Sequence, residues 1–472
     1  MEKNQVIILA VLLVAVVAVG AVVAVQFGGD DGNKSSDDGS SDSDDGDYSD
    51  VVVDMKAIND GVTDRVHIYG NADNNDTIDA EDVKYIKYIV AEKTEWDQEK
   101  FKWADANNDG TVDRADVDYL QNILDKKKDT KLFYDDNWGE VSYAYYPVST
   151  TGNVGTMYWE QATLSILLGI WDSRVTACGN GSMDEITYPG YQEKFSYGKG
   201  YNVSPEIFLK STQPDNGAVV NLIAYPWGDG TAKDIRASVQ DAGLKVNVLV
   251  PSNKDDLSYV LTMGILLGVE QRAQSYVDIV EGNIKYVQEK TAGIKESDAP
   301  KVISLMVKST TDTSNIGVLG QPETSSANGL YKYMLYTPAN MVGPKEPVYN
   351  TPITAEQLIK LDPDYILYCS SGCWDTKDKT DAQIQEQAEQ VAKNLFSGTR
   401  AYKEGHVICT INGTMGTMMA GFAFPELVQS IFPDQIDKAF ADDMFNSWFE
   451  DGWVSYTVDQ KPGYKIRIVG GE

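Results

Sequence analysis

The side chains best placed to do chemistry lie in two short acidic stretches. Asn71-Ala-Asp-Asn-Asn-Asp-Thr-Ile-Asp-Ala-Glu-Asp82 is answered, at an offset of 34 residues, by Asp105-Ala-Asn-Asn-Asp-Gly-Thr-Val-Asp-Arg-Ala-Asp116. Counted from the first residue of each, oxygen-bearing side chains stand at positions 1, 3, 5, 9 and 12. They are Asn71, Asp73, Asn75, Asp79 and Asp82 in the first loop, and Asp105, Asn107, Asp109, Asp113 and Asp116 in the second. Thr77 and Thr111, at position 7, offer backbone carbonyls. Ca²⁺ takes about six to eight oxygens at roughly 2.3–2.6 Å, and this spacing wraps them around one point. A single such stretch also fits a solvated acidic turn. Two in register, each leading into an apolar-periodic helix (Val83–Ala91 and Val117–Asp125), point to paired Ca²⁺ loops. Ligand-position carboxylates number three in the first loop (Asp73, Asp79, Asp82) and four in the second (Asp105, Asp109, Asp113, Asp116), so the second is expected to bind more tightly. Asp76 stands where a glycine would supply the turn, which predicts a strained positive φ there.

The stretch from Met55 to Lys127 resembles a type I dockerin. Asp at position 12 (Asp82, Asp116) and a helix only on the C-terminal side of each loop carry the resemblance; Asn71 and Asp76 depart from it. It implies a small all-α, EF-hand-like module over 54–130 that binds two Ca²⁺ ions and docks to a cohesin domain. A Ca²⁺-stapled spacer that docks to nothing is the plainer alternative.

The remaining chain must supply rigid elements. From Val269 to about Thr291, apolar residues recur at helical spacing: Val269, Ala273, Tyr276 with Val277, Val280, Ile284, Val287. Glu270, Arg272, Asp278, Glu281, Lys285 and Glu289 fill the other face. At about 1.5 Å per residue such a helix spans roughly 35 Å. An ordinary surface helix shows the same pattern; the flanks make it a strut. On both sides short apolar strands alternate with helices, which indicates α/β lobes with mainly parallel sheets. Before the strut come a strand or hairpin arm at 141–148, a Gly-rich turn at 151–157, a helix at 158–168, strands at 175–177, 218–224 and 245–250, and a helix at 231–242. A shorter helix then opens with a capping box at Ser252–Asp255 and stops at Gly268. After the strut come strands at 301–307, 365–369 and 407–411, and helices at 354–360, 382–394 and 426–431. Ligands of such sheets sit at the carboxyl ends of the strands.

The chain has 472 residues and a formal charge of −31, with no cluster of Lys and Arg to neutralise phosphates, so nucleic acid is excluded as a partner. Two histidines exclude a multi-His zinc site, and four cysteines are too few for a disulfide scaffold. Cys369 and Cys373 are spaced for one disulfide or, with Met415, Met418 or Met419, a soft-metal site. No Gly-x-Ser-x-Gly, phosphate-binding loop or His-rich motif is present, so the chain reads as a non-enzyme. Val6 to Phe27 carries no formal charge and is long enough to span a bilayer. Lys3 before it and aspartates after it put the rest outside the cell. A signal anchor or transmembrane helix over 1–28 is favoured over a cleaved signal peptide. The Asp/Ser/Gly stretch at 29–53 reads as a disordered tether.

The region from about Asn137 onward resembles a substrate-binding protein of an ABC importer, of the class whose two lobes are joined by one long helix. Gly200-Tyr-Asn-Val-Ser-Pro-Glu206, Leu267-Gly-Val-Glu-Gln-Arg-Ala273, Thr354-Ala-Glu-Gln-Leu-Ile-Lys-Leu-Asp-Pro-Asp-Tyr-Ile-Leu367 and Ala401-Tyr-Lys-Glu-Gly-His-Val-Ile408 carry it in order. The Cys369–Trp374 insertion and 309–348 depart from it. The resemblance implies lobes at 137–251 and 296–472 with linking helices at 252–295. It implies capture of an iron or cobalt chelate (siderophore, haem or corrinoid) for a membrane permease. Glu206 and Glu356 fall where the family docks the permease. Cleft-lining candidates are Tyr158, Trp159, Tyr225, Trp227, Trp374, Asn412 and Met415, since flat aromatics suit a planar chelate. Few arginines (Arg174, Arg236, Arg400) lie near plausible loops, which tilts the ligand toward a corrinoid or neutral chelate. The competing reading is a cell-surface interaction protein, recruited through its dockerin to a cohesin-bearing assembly.

Overall fold

The computed structural model describes residues 48–54, 65–91, 94, 96–97, 101–181, 183–199, 202–225, 229–252, 256–319, 329–343, 351–370, 378–411, 414, 416 and 418–471. The expected anchor and nearly all of the tether lie outside them. No helix among the described residues is long and apolar enough to cross a membrane.

The two acidic loops lead into α1 (Ala80–Val90) and α2 (Arg114–Leu124). Both helices start three residues earlier than periodicity alone predicts. The reason is a capping box: Asp79 and Asp113 cap the first turns, while Asp82 and Asp116 reach back to the cap N–H groups. Val83, Ile86 and Ile89 are buried on one helix, and Val117, Leu120 and Ile123 on the other.

The expected strand or hairpin arm at 141–148 is one arm of a hairpin, whose other arm carried no expectation. β1 (Thr130–Asp135) pairs antiparallel with β2 (Val141–Tyr146), with Leu132 opposite Ala144. Alternation buries Leu132, Tyr134, Ser142, Ala144 and Tyr146 on one face. Residues 130–136, expected as a boundary, therefore form structure shared by the module and the first lobe.

That lobe holds β3 (Val154–Thr156), α3 (Trp159–Leu167), β4 (Val175–Cys178), β5 (Phe195–Ser196), α4 (Pro205–Ser211), β6 (Asn221–Ile223), α5 (Asp229–Asp241) and β7 (Asn247–Leu249). The strands are parallel, in the order β5-β4-β3-β6-β7. The expected Gly-rich turn thus contains the central strand. Its glycines answer to close approach: a Cβ on Gly155 would lie 2.2 Å from the Tyr197 hydroxyl, and one on Gly152 would lie 2.1 Å from Val220.

α6 (Asp256–Leu267) ends at Gly268, whose φ is +69°, and α7 (Glu270–Thr291) is the strut. The capping residues expected before α6 lie outside the described residues, apart from Ser252. The second lobe contains β8 (Lys301–Val307), β9 (Ile316–Val318), β10 (Asn340–Met341), β11 (Thr351–Ile353), α8 (Ala355–Leu361), β12 (Tyr365–Ser370), α9 (Asp381–Phe396), β13 (Val407–Ile411), α10 (Ala420–Ile431), α11 (Lys438–Glu450) and β14 (Arg467–Val469). Its sheet runs β11-β9-β8-β12-β13-β14, with β10 beside β8. β8, β12 and β13 are parallel, whereas β9, β11 and β14 add antiparallel edges, so this lobe is mixed rather than mainly parallel. The edges come partly from 309–348, the stretch that departs from the family resemblance.

The strut buries Ala273, Tyr276, Val277, Val280, Ile284 and Val287, as its stripe predicts. It packs on α6 before it and on α10 of the second lobe. Gly264 admits Ala273, and Gly421 admits Val280; a Cβ at either glycine would come within 2.4 Å of its neighbour. Asn283 Nδ2 donates to Gly421 O at 3.0 Å. Gly421→Ala should therefore lower stability by about 1–3 kcal/mol through overpacking. Gly282→Ala, on the open face of the strut with no atom within 4 Å, should raise it by about 0.5–1 kcal/mol. Thermal denaturation of the two variants reads the opposite signs.

Candidate functional site

The first-lobe strand order reverses between β3 and β6: the chain runs outward from β3 to β4 and β5, then returns to β6 and β7. A crevice opens at such a switch point. Thr156 lies beside Ile223 in parallel register, and Met157 N donates to Ile223 O at 3.1 Å. This sets Tyr158 and Tyr225 at neighbouring strand ends. Their rings meet edge to face at 5.5 Å, and Trp159 lies 6.0 Å from Tyr158. All three are partly exposed. The structure thus brings together three of the expected cleft residues. Trp227, Trp374, Asn412 and Met415 lie outside the described residues, as does Cys373; β12 and β13 end at Ser370 and Ile411, just before the second-lobe candidates.

The loop between β4 and β5 was not singled out by sequence, yet it borders this edge and reaches the other lobe. The buried Tyr188 hydroxyl lies 2.9 Å from Thr163 Oγ1 and donates to Trp159 O. Lys461 pairs with Asp184 at 2.6 Å. Burial pushes the Asp184 carboxyl up, but Lys461 and the N–H and hydroxyl of Thr187 outweigh it and hold the pKa below the usual value. Thr414, just beyond β13, donates to Tyr464 O at 2.6 Å. No local signal marks a pair 277 residues apart.

The three arginines considered for an anionic ligand are committed to the protein. Arg174 donates to Ser149 O, Gly152 O and Leu267 O. Arg236 pairs with the buried Asp136, and Arg400 with Asp362 and Asp364. Glu206 and Glu356 are exposed in the first turns of α4 and α8, which Ser204 and Thr354 cap. Their carboxylates gain from the helix dipole there.

The acidic loops share one hydrogen-bond pattern. Asp73 N and Asp79 N donate to the two oxygens of Asp82, as Asn107 N and Asp113 N donate to those of Asp116. Thr77 N donates to Asn75 Oδ1, and Thr111 N to Asp109 Oδ1. Asp105 accepts from Asp109 N and Gly110 N. Gly110 has φ +94°, but Asp76, its counterpart, does not take a positive φ. The expected strain is absent: both loops take a positive φ at position 4 (Asn74, +58°; Asn108, +56°), only the second does so again at position 6, and the Asp76 carboxylate is held by Arg65. Among the described residues no three His, Cys, Asp or Glu side chains are gathered as a metal group; the oxygen sets here mix carboxylates with amides and carbonyls. Two observations fit a cation. Asn71 is fully buried; its Nδ2 donates to Val66 O and Asn75 O, and its Oδ1 has no hydrogen-bond partner. Asp82 and Asp116 are fully buried, and burial pushes the first well above the carboxylate range and the second to about 6.

No protein-family model matches the sequence, and no curated protein matches it. Among solved structures, the TroA-like periplasmic binding protein FepB from Veillonella parvula aligns with 72% of this chain and 99% of its own, at 14% identity and a TM-score of 0.54. An ABC transporter solute binding protein from Sulfurospirillum deleyianum aligns with 70% and 98% (10% identity, TM-score 0.47). A periplasmic haem-binding protein from Pseudomonas aeruginosa aligns with 60% and 93% (17% identity, TM-score 0.42). The lobes have the bilobed α/β fold of TroA-like periplasmic binding proteins.

Glu160 follows Trp159 and is largely enclosed. Burial, reinforced by the Asp256 charge, raises its pKa to about 7. The folded state then holds this proton more tightly than the unfolded chain. Its contribution to stability is full below the unfolded value near 4.5 and is lost as pH rises toward 7. Glu160→Gln should flatten that decline, with a Tm gain over wild type at pH 7.5 that vanishes at pH 4, read by thermal melts across pH.

Proposed function

We propose that this protein is an extracytoplasmic solute-binding protein of an ABC importer. It captures an iron or cobalt chelate between its lobes and delivers it to a membrane permease. The observation that carries this reading is the Tyr158–Tyr225 pair at the switch point of the first-lobe sheet, in a fold shared with a TroA-like periplasmic binding protein. Partly exposed rings at the carboxyl ends of the two central strands offer flat apolar contact with phenol edges for polar groups. The engagement of Arg174, Arg236 and Arg400 within the protein supports a neutral chelate or corrinoid over a strongly anionic complex. Glu206 and Glu356 are exposed on separate lobes and serve as docking points for basic permease residues. The N-terminal segment anchors the protein on the outer side of the cell membrane.

Calorimetry against cobalamin, haem and a panel of ferric chelates tests the reading. Micromolar or tighter binding to one class is expected, and Tyr158→Ala or Tyr225→Ala should weaken it about 10- to 30-fold, the equivalent of roughly 1.4–2 kcal/mol. Glu206→Ala and Glu356→Ala should leave ligand affinity intact and abolish uptake. A folded protein that binds none of these ligands would shift the assignment to cohesin-mediated interaction.

The acidic loops are proposed to hold Ca²⁺ through Asn71, Asp73, Asn75, Thr77, Asp79 and Asp82, and through Asp105, Asn107, Asp109, Thr111, Asp113 and Asp116. When bound, Ca²⁺ neutralises the buried carboxylates and fixes the loop backbone. The second loop, with more carboxylates, should bind more tightly. Ca²⁺ titration of Asp73→Ala (second loop intact) and Asp105→Ala (first loop intact) should show higher affinity in the former; equal affinities would refute the ranking.

A further inference from the structure

A free-standing docking module would meet the rest of the chain through a linker, but this one does not. Ile68 forms an antiparallel bridge with Tyr134 of β1. Tyr69 N donates to Phe133 O at 2.9 Å, and Asp135 N donates to His67 O at 3.1 Å. Tyr134 is fully buried, and its hydroxyl donates to Val248 O in β7. The backbone just ahead of the first acidic loop is therefore two residue contacts from the first-lobe sheet. Lys102, between the loops, pairs with Asp135 of the same hairpin. One continuous apolar core runs from Ile68 and Leu120 through Tyr134 to the strut.

A second tie leaves the first acidic loop itself. Arg65 Nε donates to Asp76 Oδ1 at 3.0 Å, Nη2 to Asp76 Oδ2, and Nη1 to Glu281 on the strut. The Arg65 side chain is only 14% exposed, and its two-pronged grip on one carboxylate is geometrically specific, unlike an ordinary surface pair. Glu281 follows Val280, the residue that fits against Gly421 of the second lobe. Asp76 occupies position 6, where the second loop has Gly110. The first loop thus departs from the repeat at the residue that reaches, through Arg65, to the helix between the lobes.

We infer that the calcium module is an internal brace of the solute-binding body, in which Ca²⁺ bound by the 71–82 loop is coupled to the strut through Asp76, Arg65 and Glu281. The inference rests on the Ca²⁺ reading of the loops. Ordering the loop fixes Asp76, Asp76 orients Arg65, and Arg65 restrains the turn of the strut that contacts the second lobe. Coupling of this kind is reciprocal, so whatever holds the strut also tightens the first loop's hold on Ca²⁺.

Hydrogen exchange on the full chain in detergent micelles, with and without Ca²⁺, tests the coupling, and calorimetry counts the bound ions. In the wild type Ca²⁺ should slow exchange in the loops and also in β1, β2 and the strut around Glu281, by about fivefold or more for a coupling of ordinary size. Asp76→Gly restores the glycine of the second loop. It should keep two Ca²⁺ ions and loop protection while losing the response of the strut. Arg65→Ala should behave alike; if it fails to fold, Asp76→Gly stands alone. Two bound ions with protection confined to 71–125, or an Asp76→Gly variant whose strut still responds, overturns the coupling and leaves the Ca²⁺ reading standing. Absence of binding heat in the wild type overturns both.

Discussion

Burial of one apolar stripe on the strut holds the two lobes to each other. The strut is polar on one face, and its apolar face can leave water only against helices from both lobes. Gly264 and Gly421 let its backbone approach them closely, and Tyr276 OH donates to Met418 O at 2.9 Å to fix it along its axis. At its first turn Arg272 donates to Leu167 O in the first lobe and to Gly452 O beyond α11, and stacks over Trp453 at 4.8 Å. The two sheets are thereby registered to the same rod. Packed helices deform little, so this contact sets the spacing between the lobes.

Given that frame, the aromatic edge proposed for the ligand follows from chain topology. A parallel sheet whose strand order reverses opens a crevice at the carboxyl ends of the two central strands, and Tyr158 and Tyr225 are the first aromatic side chains beyond those ends. The lobes also touch through Asp184 and Lys461, an ion pair embedded among tyrosines. It reaches Trp159 through Tyr188 and so links that aromatic edge to the relative position of the lobes.

Charge is distributed with the same logic. A chain of −31 has few cations to spend. Among the described residues Arg65, Arg174, Arg236, Arg272, Arg400 and Arg467 all bind protein carboxylates or carbonyls. These arginines act as fasteners, which is why the proposed ligand edge rests on aromatic surface and the proposed cation sites on buried carboxylates.

Local features could be read from residue order alone: the two oxygen-spaced loops, the amphipathic strut with its buried residues, and most of the strands and helices of both lobes. These were legible because each is written in a period or spacing of a few residues. The central strand β3 was hidden in a Gly-rich turn, because its glycines answer to Tyr197 and Val220, which lie far along the chain. The partner strand β1, the antiparallel edges of the second lobe, the Asp184–Lys461 pair and the ordinary backbone of Asp76 emerge only in the folded chain. Each depends on partners dozens to hundreds of residues away, and side-chain pairing at that range leaves no periodic trace in the chain that makes it.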